Sequence, residues 1–226
     1  MARITIPSKR RAKVDNPIET VVNETINSEH EHYDPERAKT GMWIFLLTEM
    51  LLFGGLFVAY GMYRYMNYNA FHTAAVELDV TMGTINTFIL LTSSMTVAMA
   101  LTAIIRGKKI LAMLLVGVTA LFGLFFLINK YLEWSAEFRD GIYPGSPVLD
   151  AKPPGQVLYF SLYYSMMGLH GLHVFVGMTV LTFMLVFIAR DKITATNYAK
   201  LENSALYWHL VDIIWIFLYP LFYLIR

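Results

Sequence analysis

Two histidines stand three residues apart in the middle of a long apolar segment. His170 and His173 lie in GLHGLHVFVG, residues 168–177, and side chains three apart on a helix share one face. Paired imidazoles can ligate a metal ion, pass a proton or hydrogen-bond neighbouring helices. The pattern itself leaves all three chemistries open.

Four more ionisable side chains stand in or beside apolar runs. Glu49 lies about 12 Å into the first run, at a helical rise of about 1.5 Å per residue. Glu202, His209 and Asp212 are separated by seven and three residues, which places them near one helix face. Ionisable groups inside a bilayer are costly and indicate function. Glu49 can take up protons, or it can be a neutral carboxyl bonded to Thr48 or to a neighbouring helix.

Small and polar residues near these groups are typical of helix contacts in membranes. Gly168 and Gly171 flank His170, and we expect them to let another backbone approach closely. Trp208 and Trp215 form a seven-residue pair. One further run carries hydroxyl and amide groups that we expect to hold helices together. These groups are Asn86, Thr87, Ser93, Ser94 and Thr96.

All of these residues belong to five apolar runs, each near or above the roughly 20 residues that cross a bilayer as a helix. The chain has 226 residues, of which 56% are hydrophobic. Backbone groups in lipid must bond internally, so such runs form helices. We predict an all-α membrane protein, a bundle of five transmembrane helices. The predicted spans are 41–63, 82–105, 110–129, 157–189 and 203–225.

The remaining segments are polar. We predict a tail over residues 1–40 ahead of a transmembrane domain over 41–226, and no cleaved signal peptide, because the tail has no apolar core. Its KRRAK stretch indicates contact with anionic lipid, not with nucleic acid. The largest connection is predicted to be an outer loop over 131–156, where Trp134 and Tyr143 suit the membrane interface.

The basic residues are unevenly distributed. The tail and the connections after the second and fourth runs contain most of the 18 lysines and arginines. The positive-inside rule therefore places the N-terminus in the cytoplasm and the C-terminus outside. An odd number of spans requires the same arrangement.

Three classes of function remain open at this point. Cysteine is absent, which excludes thiolate metal sites, disulfides and c-type haem attachment. A haem or metal subunit would have to use His170, His173 and His209, and histidines three apart cannot supply both axial ligands of one haem. A proton-coupled transporter is the second class, although no repeat or discontinuous helix is visible. The third is an accessory helical subunit of a larger complex.

Several motifs, in order along the chain, resemble subunit III of haem–copper oxidases in its short five-helix bacterial form. MGLHGLHVFVG, and ENSALYWHLVDIIWIFLYPLFYLI about thirty residues later, resemble the last two helices of that family. GMWIFLLTEMLLFGGLFVAY resembles the segment with its membrane glutamate, which would be Glu49. INTFILLTSSMTVAMA resembles the polar helix that follows. KYLEW and DGIYPGS together resemble the outer-loop signature of the family. The resemblance runs from about Gly41 to the C-terminus.

This resemblance implies an accessory subunit without a redox centre, haem, copper or other cofactor of its own. It would pack against catalytic subunit I, which holds the haems and copper, beside the copper-binding subunit II. The complex would be a respiratory oxidase that reduces O2 to water with proton pumping, alone or in a supercomplex. The chain would stabilise subunit I, support proton uptake and protect the complex during turnover in the bacterial cytoplasmic (inner) membrane.

The resemblance also implies roles for individual residues. The residues that match buried polar positions of the family, and are structural or proton-related candidates, are Glu49, His170, His173, Glu202, His209 and Asp212. Glu49 and Glu202 favour a cytochrome c oxidase, with a quinol oxidase as the alternative. The seven-helix form has a lipid-filled cleft beside its first two helices, a pair that this chain would lack. That cleft would be incomplete here unless a partner subunit supplies the pair, so bound phospholipid is expected on general grounds only, without assigned residues. His170 and His173 are expected to be hydrogen-bonding, packing residues and not ligands.

Overall fold

The structure, a computed structural model, describes residues 35–225, with side chains from residue 39 onward. Five long helices in this part of the chain can span a membrane by length and composition, which confirms the predicted fold class. No named β-strand occurs among the described residues. The helices are α1 (Pro35–Met66), α2 (Tyr68–Ala75), α3 (Val80–Ile105), α4 (Lys109–Arg139), α5 (Pro147–Asp150), α6 (Pro154–Ala189) and α7 (Ala199–Tyr223).

Local chemistry sets the ends of α3. At its start the Asp79 carboxylate accepts hydrogen bonds from the backbone N–H groups of Thr81 and Met82, as an N-cap residue does. At its end Gly107 has a φ of +71°, which glycine adopts without steric cost. The chain therefore reverses into α4 within a few residues, and the two helices pack side by side.

Helix α4 is longer than predicted. The predicted span ended at residue 129, but the helix continues to Arg139, so the predicted loop over 131–156 is wrong in its first part. Lys130, Glu133 and Glu137 are buried on one face of the helix instead of facing solvent. Hydropathy cannot distinguish such a face from a polar loop, because it does not register that the charges pair with one another.

The connections that follow α1 and α4 each contain a short helix. Helix α2 follows α1 and buries Phe71, Ala74 and Ala75 by packing against α6; it was not predicted. Helix α5 follows α4 and begins after Ser146, whose hydroxyl accepts a hydrogen bond from the Leu149 N–H. Both helices are too short for a hydropathy signal, and both are fixed by contacts with distant parts of the chain.

The long helices divide into a ring of four and one helix at its edge. α3 packs against α4 and α7, and α6 packs against the same two helices. The apolar part of α7 is 56% buried, whereas that of α1 is only 11% buried. α1 contacts the ring through side chains such as Phe53, which lies against His173, and Tyr60, which lies against Phe222. Most of the surface of α1 is thus left for lipid or for another protein.

Close packing occurs at glycines other than the predicted ones. A Cβ at Gly171 would meet nothing within 4 Å, and one at Gly168 would meet a single side chain at 3.5 Å. No backbone in the described part of the chain therefore approaches closely at these two positions. The indole of Trp208 instead lies against Gly123 and Gly177, where an added Cβ would be 2.7 and 2.9 Å from ring atoms. Glycine is needed at both positions because an aromatic side chain, not a second backbone, packs against them.

Candidate functional site

Glu49 on α1 and His173 on α6 form a polar contact between two helices. Glu49 Oε2 lies 2.9 Å from His173 Nε2, and His173 Nδ1 lies 2.8 Å from the Leu169 carbonyl oxygen. A carbonyl only accepts hydrogen bonds, so Nδ1 must carry a hydrogen. One proton must then lie between the carboxyl and Nε2, either as a carboxylic acid facing neutral imidazole or as a carboxylate facing imidazolium. The contact can therefore be bridged by a single shared proton.

The surroundings of this pair are partly open. The side chains of Glu49 and His173 are 15% and 13% exposed. The ring of Tyr207 lies 6.5 Å from that of His173, and its hydroxyl donates to the His173 carbonyl at 3.2 Å. Tyr207 also lines a groove of about 280 Å³, with Phe45 among its other walls. The pair therefore lies between a packed core and the edge of the bundle.

His170 has different surroundings. Its side chain is buried between Phe126 and Trp215, with ring centroids 5.6 and 5.3 Å away. Neither ring nitrogen has a hydrogen-bond partner in the described chain, so the expectation of a hydrogen-bonding role is wrong for His170 there. Among residues 35–225 no group of three or more histidine, aspartate or glutamate side chains is arranged to hold a metal ion. The two histidines do not act as a pair.

The three ionisable residues of α7 do not form one cluster. Glu202 pairs with Lys39 of α1 at 2.8 Å, close to where both helices begin. His209 Nδ1 lies 2.6 Å from the Ser94 hydroxyl of α3. Asp212 is buried, and Ser94 is its polar neighbour, although neither carboxylate oxygen reaches hydrogen-bond geometry with a described residue. The three residues therefore do not contact one another as a group.

Helix α3 supplies hydrogen bonds to its two neighbours. The indole N–H groups of Trp208 and Trp215 donate to the hydroxyls of Ser93 and Thr87, each at 2.9 Å. Two further contacts join α3 to α4, through Asn86 with Asn129 at 3.0 Å and through Thr96 with Thr119 at 2.8 Å. Polar pairs of this type fix the register of helices in lipid.

Sequence reasoning missed a second buried polar group, which we call the carboxylate cluster. It joins the C-terminal ends of α4 and α7 to the N-terminal part of α6. These ends lie away from the basic connections, which follow α3 and α6. Its members are Lys130, Glu133, Glu137, Tyr163, Tyr164 and Tyr223. The spacing of lysine and glutamates, at positions 130, 133 and 137, would have indicated one inward helix face. The predicted loop over 131–156 instead places both glutamates outside the spans.

Ionic and phenolic contacts hold the carboxylate cluster together. Lys130 Nζ lies 3.1 Å from Glu133 Oε2 and 2.6 Å from the Tyr223 hydroxyl. The Tyr163 hydroxyl lies 2.9 Å from Glu133 and 3.1 Å from Glu137, and Tyr164 reaches Glu137 at 2.5 Å. All three charged side chains are buried. Buried charges persist only when they are paired and hydrogen-bonded in this way.

The fold and these contacts define a class: a helical membrane protein whose ionisable groups pair across helices. The chain belongs to the cytochrome c oxidase subunit III family, which it matches over residues 17–225. The match confirms the resemblance seen in the motifs around Glu49, His170 and His209. As a subunit of the haem–copper oxidases, the chain is part of an oxidoreductase complex and associates with its catalytic subunits.

Named relatives come from both branches of these oxidases. A cytochrome c oxidase subunit 3 from Thermostichus vulcanus is 30% identical over 205 residues, 87% of this chain and 92% of the relative. A probable quinol oxidase subunit 3 from Staphylococcus aureus (strain USA300) is 30% identical over 195 residues, 85% and 91% of the two chains. A heme-copper oxidase subunit I+III from Aeropyrum pernix is 29% identical over 203 residues. This chain spans only 24% of that longer relative.

Proposed function

We propose that this chain is the accessory subunit III of a respiratory cytochrome c oxidase, which reduces O2 to water with proton pumping. It packs against catalytic subunit I, beside copper-binding subunit II, and carries no redox centre. The haems and copper belong to those partners. Its proposed location is the bacterial cytoplasmic membrane, with the basic connections in the cytoplasm. A quinol oxidase is the alternative, supported by the Staphylococcus aureus relative.

The contact between Glu49 and His173 carries this proposal. The proton shared by the pair can pass from the carboxyl to Nε2 without movement of the ring, because the Leu169 carbonyl already fixes the Nδ1 hydrogen. After the pair gives that proton to a neighbouring acceptor, uptake of another proton restores it. A half-buried, one-proton site between two helices suits a subunit that delivers protons to a catalytic partner.

The surface of α1 supports the proposed packing against subunit I. Large apolar side chains on α1 are exposed, among them Trp43, Leu51, Val58 and Met62. An apolar face of this extent, on a helix that the rest of the chain hardly covers, needs lipid or another membrane helix against it. The proposed proton site thus lies beside the surface that a partner would cover.

Replacement of the carboxyl group tests the proposal. In the assembled oxidase, Glu49→Gln preserves size and hydrogen bonding but cannot exchange a proton. We expect slower proton uptake and fewer turnovers before inactivation, with an unchanged haem spectrum, measured by oxygen consumption and pH-indicator stopped flow. Glu77→Gln is the matched control, because Glu77 pairs with Lys152 in a connection outside the spans. Wild-type proton uptake in Glu49→Gln would reject the proposed role.

A further inference from the structure

An apolar groove runs along the outside of the bundle between α3 and α4. It has a volume of about 320 Å³. Its walls include Met95, Ala98, Leu111 and Leu115, and Arg106 and Lys108 stand at one end. The small side chain at Ala98 leaves room between two helices that are otherwise closely packed. The groove is therefore apolar along its length and cationic at one end.

The length of the groove corresponds to one leaflet of a bilayer. Met95 and Arg106 lie on one stripe of α3, eleven residues apart, which is about 16 Å along a helix. Half of a hydrocarbon core of about 30 Å is about 15 Å. When Arg106 lies at the level of the lipid headgroups, Met95 lies near the middle of the membrane. An acyl chain of a single leaflet matches these dimensions.

The basic residues at the end of the groove are not used by the protein itself. Neighbouring Lys109 is engaged, because its Nζ lies 2.6 Å from Asp191 Oδ1 and 3.0 Å from the Ala189 carbonyl oxygen. Within residues 35–225, Arg106 and Lys108 are exposed and have no side-chain hydrogen bond or ion pair. The start of α4 also lacks a side-chain cap, and its free N–H groups add positive potential.

We propose that this groove binds an anionic phospholipid of the leaflet on the basic side. The phosphate lies between Arg106 and Lys108, and one acyl chain follows the α3 stripe past Ala98 to Met95. Two free cations complement a headgroup with net negative charge, whereas a zwitterionic headgroup brings its own cation to the same place. The site is on α3 and α4, apart from the contact between Glu49 and His173, and it does not depend on the proposed oxidase function.

Lipid binding to the delipidated full chain in detergent tests this site, with phosphatidylglycerol and phosphatidylcholine as probes in native mass spectrometry. The double variant R106Q/K108Q is expected to bind phosphatidylglycerol about 25-fold more weakly, at roughly fivefold for each lost cation. The matched double variant R190Q/K192Q removes the same charge from the same end of the bundle. It is expected to keep the wild-type affinity, because neither residue lines the groove.

A second variant tests the acyl chain separately from the headgroup. Ala98 faces the groove and is exposed, so Ala98→Phe fills the space without a clash in the core and is expected to lower phosphatidylglycerol retention. Equal losses in the two double variants would show a diffuse charge effect and overturn the proposal. Equal binding of phosphatidylcholine, or unchanged binding by Ala98→Phe, would also overturn it.

Discussion

At the scale of the residue, His170 and His173 differ in what their ring nitrogens contact. His173 has a partner at each nitrogen, and one of them is an ionisable group on another helix. His170 packs between aromatic rings without a hydrogen-bond partner in the described chain. Two histidines three residues apart therefore have different surroundings, one in a contact with an ionisable group and the other packed between aromatic rings.

This difference predicts that replacement by an apolar residue costs less unfolding free energy at one histidine than at the other. His170→Phe is expected to change the free energy of unfolding by less than about 1 kcal/mol, because no hydrogen bond is lost and a buried polar ring is removed. His173→Phe is expected to cost about 1–3 kcal/mol, because Glu49 and the Leu169 carbonyl lose their partner. Denaturant titration in detergent measures both values. A larger loss for His170→Phe would contradict the assignment.

Lys130 provides a second prediction for a single residue. Lys130→Met leaves Glu133 and Glu137 buried without a cation, which is expected to cost about 3–5 kcal/mol of unfolding free energy. Lys152→Met is the matched control, because its contact with Glu77 is partly exposed and worth about 1 kcal/mol or less. The same titration compares the two variants. Equal costs would show that the carboxylate cluster does not rely on its lysine.

At the scale of the element, the indole of Trp208 joins three helices. It donates to Ser93 of α3 and fills the space left by Gly123 of α4 and Gly177 of α6. Because the ring is fully buried and bonded at its nitrogen, it cannot move aside to admit another atom. The arrangement fixes the depth and register of α7 within the ring of four helices.

A single added methyl group tests this arrangement. Gly123→Ala is expected to cost about 1–3 kcal/mol, the usual penalty for overpacking a core. Gly171→Ala is the control, since a Cβ there meets nothing within 4 Å and alanine favours a helix by up to about 1 kcal/mol. Thermal unfolding in detergent ranks the two variants. A stable Gly123→Ala protein would mean that Trp208 is free to shift.

The helices differ in how far the sequence predicts them. The five spans follow from hydropathy, because lipid requires backbone groups to bond within each helix. The end of α4 and the whole of α2 depend on contacts with distant residues, such as Glu133 with Tyr163 and Phe71 with Tyr159. No pattern in the neighbouring sequence indicates those contacts. The positions of Glu49 and His173 in the chain are visible in the sequence, but their meeting across α1 and α6 requires the fold.

At the scale of the whole molecule, the two polar sites lie at different depths in the bundle. Glu49 and His173 stand near the midpoints of α1 and α6. The carboxylate cluster is at the far ends of α4 and α7. The first site is slightly exposed beside an uncovered helix, whereas the second is sealed by aromatic rings. We infer that proton exchange belongs to the first site and structural integrity to the second.

This chain is proposed to serve an oxidase without holding a redox centre itself. The most direct measurement is a visible absorption spectrum of the chain purified alone in mild detergent, beside that of the complex that co-purifies with it. We expect a colourless chain and a complex with an a-type haem band. A haem spectrum from the isolated chain would make His170, His173 or His209 a ligand and would contradict the claim.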